Sequence, residues 1–564
     1  MQRLGFPNPL PPVNGLHPAF KNRFSGWHLG MGLPGTITGL LRGLTQLGSE
    51  TPACRDTALG MGLWGMQAYP LAPDMAEWTV RLAHQGLKLS PALTALATQL
   101  AVIPPLGESD TELLDTWYAL ARQDDISLTL RFLTAVLGDP ARGLVWLGHC
   151  WQDLLFLGRP ELPKAALDMF PWDDATQPLK QRMEAELAFH SRPPEEALPL
   201  VEALCPETWG LWRAYAGAEL LIRMGRTGQA KGALAQLWKA IPWHVNLTLK
   251  LHDLFNKISP ADESATKNVA ILVYSWNKAD LLADTLNSLA DSDIGHAKIF
   301  ALNNGSTDHT AQVLEEASAR FEPGRFHIET LPVNIGAPAA RNWLLALPEV
   351  QACKWAAFLD DDIVLPKNWL LHLLGAAKGH NDLGAVGCRI TAATPPYGLQ
   401  SADYNLFPTP PAPIEPGKIP NRVLVFDNCA GSTDSGLFTY TRPCLSVSGC
   451  CHMISMEAIR KAGDFDLRYT PSQFDDLDRD LRSALHSMPA VYTGSLAIRH
   501  VQHSSLAKAQ TQSQVGHVMG NKYKLDTKYS DEELTTLAKT NRARLWDDLE
   551  AKHAFLLDRL GHGA

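Results

Sequence analysis

The chain has 564 residues and a formal net charge of -9, and its length predicts two to four domains with sizeable hydrophobic cores. Hydrophobic residues make up 45% of the sequence and charged residues 19%, which excludes a disordered chain. The negative charge argues against a sequence-independent grip on the phosphate backbone of nucleic acid. No nucleic acid partner is therefore expected.

Neither a signal peptide nor a transmembrane segment is predicted. Residues 1–7 lack an apolar run followed by a cleavage site of small residues. No stretch approaches the ~18 consecutive apolar residues that span a bilayer. The nine cysteines form no CxxC pair, which fits a reducing compartment. The sequence thus predicts a soluble, cytoplasmic protein.

Residues 1–256 predict an all-α domain. From Ala53 to Phe255 the sequence is rich in Leu, Ala and Trp, with turns at Gly or Pro and almost no β-branched runs. Similar turn segments recur at a nearly constant interval around Gly158, Ser191 and Gly225. This period resembles tetratricopeptide-type helix pairs near residues 145–255, and an irregular helical bundle is the alternative.

A polar segment, residues 257–267, predicts a linker to a second domain over residues 268–535. Apolar runs alternating with helical patterns there predict a parallel, doubly wound sheet whose ligand crevice lies at the carboxyl ends of the strands. Eight prolines from Pro395 to Pro420 predict a surface insertion without regular structure within residues 392–443. Residues 536–564 predict a C-terminal helix.

An acidic triplet, Asp360, Asp361 and Asp362, follows the apolar segment 355–359. Three consecutive carboxylates repel one another, and they suit a hard cation such as Mg²⁺ or Mn²⁺ carrying a diphosphate. A solvated acidic loop is the alternative. Neither of the phosphate-binding patterns GxGxxG and GxxxxGK[ST] follows the first apolar segment, 269–274, which argues against dinucleotide redox enzymes and ATPases.

The segment from Val269 to Tyr529 resembles the inverting family-2 glycosyltransferases of GT-A fold, because a set of motifs occurs in the family's order. These motifs are the first strand and turn 273–278, the turn 303–308, the segments 334–336 and 340–342, the acidic triplet, the segments 459–466 and 474–482, Arg499-His500, and 521–529. The predicted fold is thus an α/β GT-A domain preceded by an all-α helical-repeat domain.

The resemblance implies roles for individual donor-binding residues. Ser275, Trp276 and Asn277 would lie at the nucleotide, where an aromatic ring can stack on the base. Asn303, at a position where the family usually has Asp, would bind the base edge. The remaining donor contacts implied by the family are Arg341 at the diphosphate, Asp360 at the ribose and Asp361 beside it.

The resemblance also implies a metal site and a base. Asp362 would bind Mn²⁺ or Mg²⁺, and His500 would be a further ligand, with His503 as a competitor. An inverting displacement needs a carboxylate to take the proton of the acceptor hydroxyl. Asp476 is the preferred base, and Asp475 is the alternative.

Two hypotheses follow from the sequence. The first is a metal-dependent inverting glycosyltransferase that moves a sugar from a nucleotide-diphosphate donor, with a UDP-sugar favoured, to a hydroxyl of an acceptor protein or glycan. The second is a helical-repeat scaffold that binds a partner and carries a vestigial transferase domain. Carboxylates retained at both the metal and base positions favour the enzyme.

Overall fold

The computed structural model describes residues 4–7, 10, 16, 18–48, 51–123, 125–380, 382–395, 397–416, 418–426, 429, 432–501 and 512–561. Several N-terminal helices begin with proline, whose fixed φ suits the first helical turn. Among the described residues before 257, the chain forms α1 Pro18–Arg23, α2 Pro34–Leu47, α3 Pro52–Ala68, α4 Pro73–His84, α5 Pro91–Ala101, α6 Thr111–Gln123, α7 Ile126–Leu137, α8 Gly143–Phe156, α9 Glu161–Met169, α10 Gln177–Ser191, α11 Pro194–Glu202, α12 Pro206–Arg223, α13 Thr227–Ala240 and α14 Val245–Phe255.

From Val269 onward, buried strands alternate with helices. The described elements are β1 Val269–Ser275, α15 Ala279–Ala290, β2 Lys298–Asn304, α16 Thr310–Ser318, β3 Phe326–Leu331, α17 Ala337–Leu345, α18 Pro348–Gln351, β4 Trp355–Leu359, β5 Ile363–Val364, α19 Trp369–Ala377, β6 Ala385–Ala392, β7 Leu399–Ser401, β8 Asn405–Leu406, β9 Val425–Phe426, β10 Thr441–Cys444, β11 Cys451–Ser455, α20 Met456–Ala462, α21 Asp475–Leu485, β12 Ala490–His500, α22 Gln512–Lys528 and α23 Asp531–Gly561. In this part of the chain, no helix combines the length and apolar character that crossing a bilayer requires, and the same holds for the helices described before it.

The main sheet has the order β10-β12-β6-β11-β4-β1-β2-β3 and is mixed. The predicted parallel pairing is observed for β3-β2-β1-β4 and for β6 with β12. The prediction of a wholly parallel sheet is wrong, because β11 runs antiparallel between β4 and β6, and β10 runs antiparallel on the outer edge. Separate hydrophobic clusters cover the two faces of the sheet.

The proline-rich stretch is more structured than its composition suggests. Strand β7 pairs with β6, and β8 pairs with β9 on either side of the densest prolines. Leu437, Phe438 and Tyr440 are buried in the same hydrophobic cluster as the N-terminal helices. The expectation of a segment without regular structure is therefore wrong at these positions, because the apolar residues between the prolines have a core to bury in.

A buried ion pair also joins the helical region to this stretch. The Lys250 Nζ donates to Glu219 Oε2 at 2.7 Å, to the Gly436 carbonyl at 2.7 Å and to Thr439 Oγ1 at 2.8 Å. Both side chains of the pair are almost fully buried, with 2% and 7% exposed. The ammonium thus satisfies groups from both parts of the chain.

Lys250→Met is expected to lower the free energy of unfolding by about 3–5 kcal/mol, because it leaves Glu219 charged, buried and unpaired. Urea unfolding followed by circular dichroism measures the change. Lys88→Met, at an exposed position, is the control and should leave the midpoint unchanged. Equal midpoints for the two variants would show that the Lys250 pair does not hold the two parts together.

Candidate functional site

The predicted crevice lies where three neighbouring parallel strands end. Ser275 at the end of β1 is in register with Asn303 near the end of β2, and Val273 is in register with Leu359, the last residue of β4. Because the strands are parallel, their carboxyl ends share one edge of the sheet. The turn after β1, the turn after β2 and the acidic triplet after β4 therefore meet there.

The two turns are fastened to each other by asparagine side chains. Asn277 Oδ1 accepts from the backbone amide of Thr307 at 2.7 Å, and the backbone amide of Asn277 donates to Ser306 Oγ at 3.1 Å. Asn303, which is buried, accepts from the Ser306 amide through Oδ1 at 2.9 Å. Ser275 is buried in the strand, whereas the Trp276 ring is 50% exposed. Trp276 is thus the side chain of this group that offers an open aromatic surface.

The acidic triplet is folded into the protein, and a lysine neutralises part of it. The Lys278 Nζ lies 2.9 Å from Asp361 Oδ1 and 3.1 Å from Asp362 Oδ2. Burial disfavours the charged ammonium, yet the two carboxylates raise the pKa of Lys278. Burial likewise raises the pKa of Asp360 to about 6, with Arg341 opposing that shift and Asp362 adding to it.

His500, the last residue of β12, reaches the triplet from another strand. Its Nε2 lies 2.9 Å from Asp362 Oδ1, and its Nδ1 lies 2.6 Å from Gln400 Oε1. The ring is therefore held between a carboxylate and an amide oxygen, an arrangement that orients an imidazole ligand. His503, the competing candidate, lies outside the described residues.

The side chains around His500 have the chemistry of a divalent-cation site. Ligand atoms of Asp360, Cys450 and His500 all lie within 4.8 Å of one another. Burial, with Asp360 nearby, raises the pKa of the Cys450 thiol well above its usual value, which disfavours the thiolate form that binds metals. Carboxylate oxygens and an imidazole remain, and these suit Mn²⁺ or Mg²⁺.

Arg341 connects the triplet to the second acidic pair. Its side chain is buried, with Nη1 2.5 Å from Asp475 Oδ2 and Nη2 4.0 Å from Asp360 Oδ1. The Arg341 Nε has no hydrogen-bond partner among the described residues. Burial raises the pKa of Asp475, with Arg341 opposing the shift and Asp476 adding to it. The two acidic groups therefore lie on either side of one guanidinium.

Asp476 is the more accessible member of the second pair. It lies in the first turn of α21, where the helix dipole favours a negative charge. Its Oδ2 accepts from the Gly449 amide at 2.9 Å and its Oδ1 from the Leu477 amide at 2.8 Å. These backbone donors fix the carboxylate toward the site.

Gly449 leaves no space for a side chain beside this carboxylate. A Cβ built there would lie 2.7 Å from Asp476 Oδ2 and 3.2 Å from Arg341 Nη2. If Asp476 is the reacting carboxylate that the sequence predicts, Gly449→Ala should lower kcat by about 10²-fold, since displacing a reacting group by about 1 Å has that effect. Steady-state kinetics measures the loss. Gly520→Ala, on open helix surface, is the control, and equal kcat values for the two variants would contradict the placement of Asp476.

Side chains of the last motif of the resemblance, 521–529, pair with neighbouring parts of the protein. Lys528 Nζ pairs with Asp466 and Asp478, and Lys524 Nζ donates to the Arg468 carbonyl. Asp478 also accepts from the Tyr529 hydroxyl at 2.8 Å. Residues 521–529 thus brace α21 in this structure.

Two residues at the site were not assigned a role from sequence. Lys278 follows the first strand and contacts carboxylates more than eighty positions away along the chain, so no local pattern pairs them. In the sequence Cys450 resembles an ordinary small core residue. Its place at the site follows only from the pairing of β11 with β4.

Comparison with known families identifies the domain that carries the triplet. Residues 270–462 match the model of glycosyl transferase family 2, and this segment includes the acidic triplet. The match, with the helical region and the α/β sheet described above, confirms the predicted fold class. Asp475, Asp476 and His500 lie beyond the matched residues.

Two curated proteins are similar to part of the chain. A putative teichuronic acid biosynthesis glycosyltransferase, TuaG, of Bacillus subtilis (strain 168) is 34% identical over 94 residues, which cover 17% of this chain and 35% of that protein. Poly-beta-1,6-N-acetyl-D-glucosamine synthase of Staphylococcus epidermidis is 24% identical over 126 residues, which cover 22% and 29%. The chain therefore spans about a third of the length of these relatives.

Among solved structures, the mannosyltransferase PcManGT of Pyrobaculum calidifontis, in complex with GDP-Man and Mn²⁺, has a TM-score of 0.33 and 15% sequence identity. The alignment covers 63% of this chain and 86% of that chain.

Proposed function

We propose, from the family 2 domain at residues 270–462, that the protein is a metal-dependent inverting glycosyltransferase. It moves a sugar from a nucleotide-diphosphate donor, with a UDP-sugar favoured, to a hydroxyl of an acceptor protein or glycan. One observation carries the proposal: Arg341 brings the acidic triplet and the Asp475–Asp476 pair into one site. The reaction requires the departure of a diphosphate and the deprotonation of a nucleophile. The site contains one group of carboxylates for each of these steps.

The donor side is proposed as follows. The half-exposed Trp276 ring stacks on the base, and the asparagine-braced turns at Asn277 and Asn303 hold the nucleotide. Asp360, Asp362 and His500 would hold Mn²⁺ or Mg²⁺. When bound, the cation supplies Lewis-acid stabilisation of the negative charge on the departing diphosphate. Asp361 keeps Lys278 beside the same oxygens through its ion pair.

On the acceptor side, Asp476 is proposed as the general base. It accepts the proton of the acceptor hydroxyl as that oxygen attacks the anomeric carbon. Asp475 is committed to Arg341, so it positions the guanidinium and keeps negative charge beside the base. The buried guanidinium lies next to both carboxylate sets, and its Nε has no hydrogen-bond partner among the described residues.

Lys278→Met is expected to lower the melting temperature of the metal-free protein by about 2–4 °C, because a partly exposed pair contributes at most ~1 kcal/mol. The freed carboxylates should then bind Mn²⁺ more tightly, since Lys278 no longer competes for Asp362. Differential scanning fluorimetry with and without Mn²⁺ measures both effects. Lys367→Met, an exposed lysine, is the control. A smaller Mn²⁺-induced shift than wild type would contradict the competition.

The proposed activity is tested with a panel of nucleotide-diphosphate sugars in the presence of Mn²⁺, with donor hydrolysis and product anomeric configuration followed by NMR. Donor turnover with inversion is the expected result. If the folded protein binds no donor of the panel, the enzyme is excluded and the partner-binding scaffold is favoured.

A further inference from the structure

An interface cavity lies between the helical region and the proline-rich stretch. None of its lining residues belongs to the acidic triplet or to the Asp475–Asp476 pair. Its volume is about 520 Å³, within the ~300–1,000 Å³ typical of small-molecule pockets. Aromatic side chains from several helices line it, among them Trp64, Trp151, Trp212 and Tyr69. Ser432 and Thr433 close it from the other side.

Helix α8 carries unpartnered polar groups on residues that line this cavity. His149 Nε2, Trp151 Nε1 and Gln152 Nε2 are buried and have no hydrogen-bond partner among the described residues, and all three residues line the cavity. Trp151 is only 5% exposed. Because an unsatisfied buried donor costs free energy, such groups point to a ligand that supplies their hydrogen bonds.

The charged groups at the wall are already neutralised. Glu186 pairs with Arg182 at 2.9 Å, and the Arg182 guanidinium stacks on the Trp212 ring at 3.2 Å from its centroid. Burial lowers the pKa of His190 to about 3 and also lowers the pKa of His149, so both rings are uncharged at neutral pH. The cavity therefore suits an uncharged ligand.

From these observations we infer that the interface cavity binds a neutral saccharide unit. A pyranose has an electropositive C–H face that packs on the negative face of an aromatic ring. Its hydroxyls both donate and accept hydrogen bonds, so they satisfy an indole N–H, an amide and an imidazole together. An apolar ligand would leave these groups unsatisfied, and a charged one would be buried without a partner.

Two further cavities, each sharing lining residues with the one before it, lie between this cavity and β12, the strand that ends at His500. Phe189 and His190 also line a neighbouring cavity of about 810 Å³, which in turn shares Tyr397 and Asp434 with a third. The third is lined by Val364 and Arg499, and this pair is in register beside His500. The next step rests on the proposed function: the bound saccharide is a non-reacting unit of a glycan acceptor, and the rest of that glycan extends toward the acidic triplet.

The inference is tested by saturation-transfer NMR and titration calorimetry on the full chain, without metal or nucleotide sugar. The probes are neutral hexasaccharides of glucose, galactose, mannose and N-acetylglucosamine, with oligogalacturonate as the charged comparison. Saturable binding of a neutral probe is expected. Trp151→Phe and Gln152→Met should each weaken it about tenfold, as loss of one hydrogen bond does, while Gln123→Met, on exposed surface, leaves it unchanged.

Circular dichroism checks that the variants are folded, and a variant that unfolds is replaced by His149→Phe. The inference is overturned if no neutral probe binds saturably, if the cavity variants bind as wild type does, or if the charged probe or an unglycosylated peptide binds better. Because metal and donor are absent, the outcome is independent of turnover. Saccharide binding without donor turnover would retain the cavity and reject the transferase.

Discussion

Asp476→Asn is expected to lower kcat for sugar transfer by about 10²–10⁴-fold, the usual contribution of a positioned general base. The amide keeps the size of the side chain, but its single acceptor oxygen can keep only one of the two contacts with the Gly449 and Leu477 backbone amides, and it cannot take a proton. Donor affinity should stay near wild type, because the proposal assigns Asp476 to the acceptor and not to the donor. Initial rates and donor titrations separate the two quantities.

Two further variants sharpen this experiment. Asp475→Asn weakens the contact with Arg341, so it should raise the KM for the donor as well as lower kcat. Asp464→Asn, in an exposed position shortly before α21, should leave both constants unchanged. If Asp476→Asn retained wild-type kcat while Asp475→Asn lost it, the roles assigned to the pair would be reversed.

Removal of divalent metal is expected to abolish transfer, and added Mn²⁺ should restore it. Without the cation, the departing diphosphate faces the Asp360 and Asp362 carboxylates, whose charge Lys278 and Arg341 offset in part. Asp362→Asn should weaken Mn²⁺ binding by more than the 10–100-fold typical of losing an outer partner of a metal ligand. Titration calorimetry with Mn²⁺ measures the affinity, and chelator-treated enzyme gives the activity baseline.

Cys450→Ser tests whether Cys450 is itself a metal ligand or only a neighbour of the ligands. Because burial keeps the Cys450 thiol protonated, its replacement by a hydroxyl should change Mn²⁺ affinity little. A loss as large as that of Asp362→Asn would make Cys450 a ligand and shift the site toward softer metals. Full activity in chelator would remove the metal from the mechanism.

The strands that position the site could be predicted from sequence, whereas their complete pairing could not. β1, β2 and β4 are short apolar runs that end in polar residues, so their place and the meeting of Ser275, Asn303 and Asp360 follow from local pattern. The antiparallel entry of β11 depends on a long excursion after β6. No periodicity within β11 itself indicates its direction.

The acidic residues of the site could be predicted from sequence, because they form clusters along the chain. Their cationic partners could not, because these come from distant positions. Lys278 pairs with the carboxylates that follow β4, and Arg341 lies between that group and the first turn of α21. Which carboxylate is free to act as a base depends on these ion pairs, and they are determined by tertiary packing. The burial of Leu437 and Phe438 against the helices is hidden in the same way by surrounding turn residues.

A crystal structure with Mn²⁺ and UDP, in which the anomalous signal locates the metal, tests directly whether the acidic triplet is the metal site. We expect an ion in contact with the Asp360 and Asp362 carboxylates and His500, next to the diphosphate, with the uracil ring beside Trp276. An ion bound elsewhere, or a diphosphate held by Lys278 and Arg341 with no ion at the triplet, would contradict this expectation.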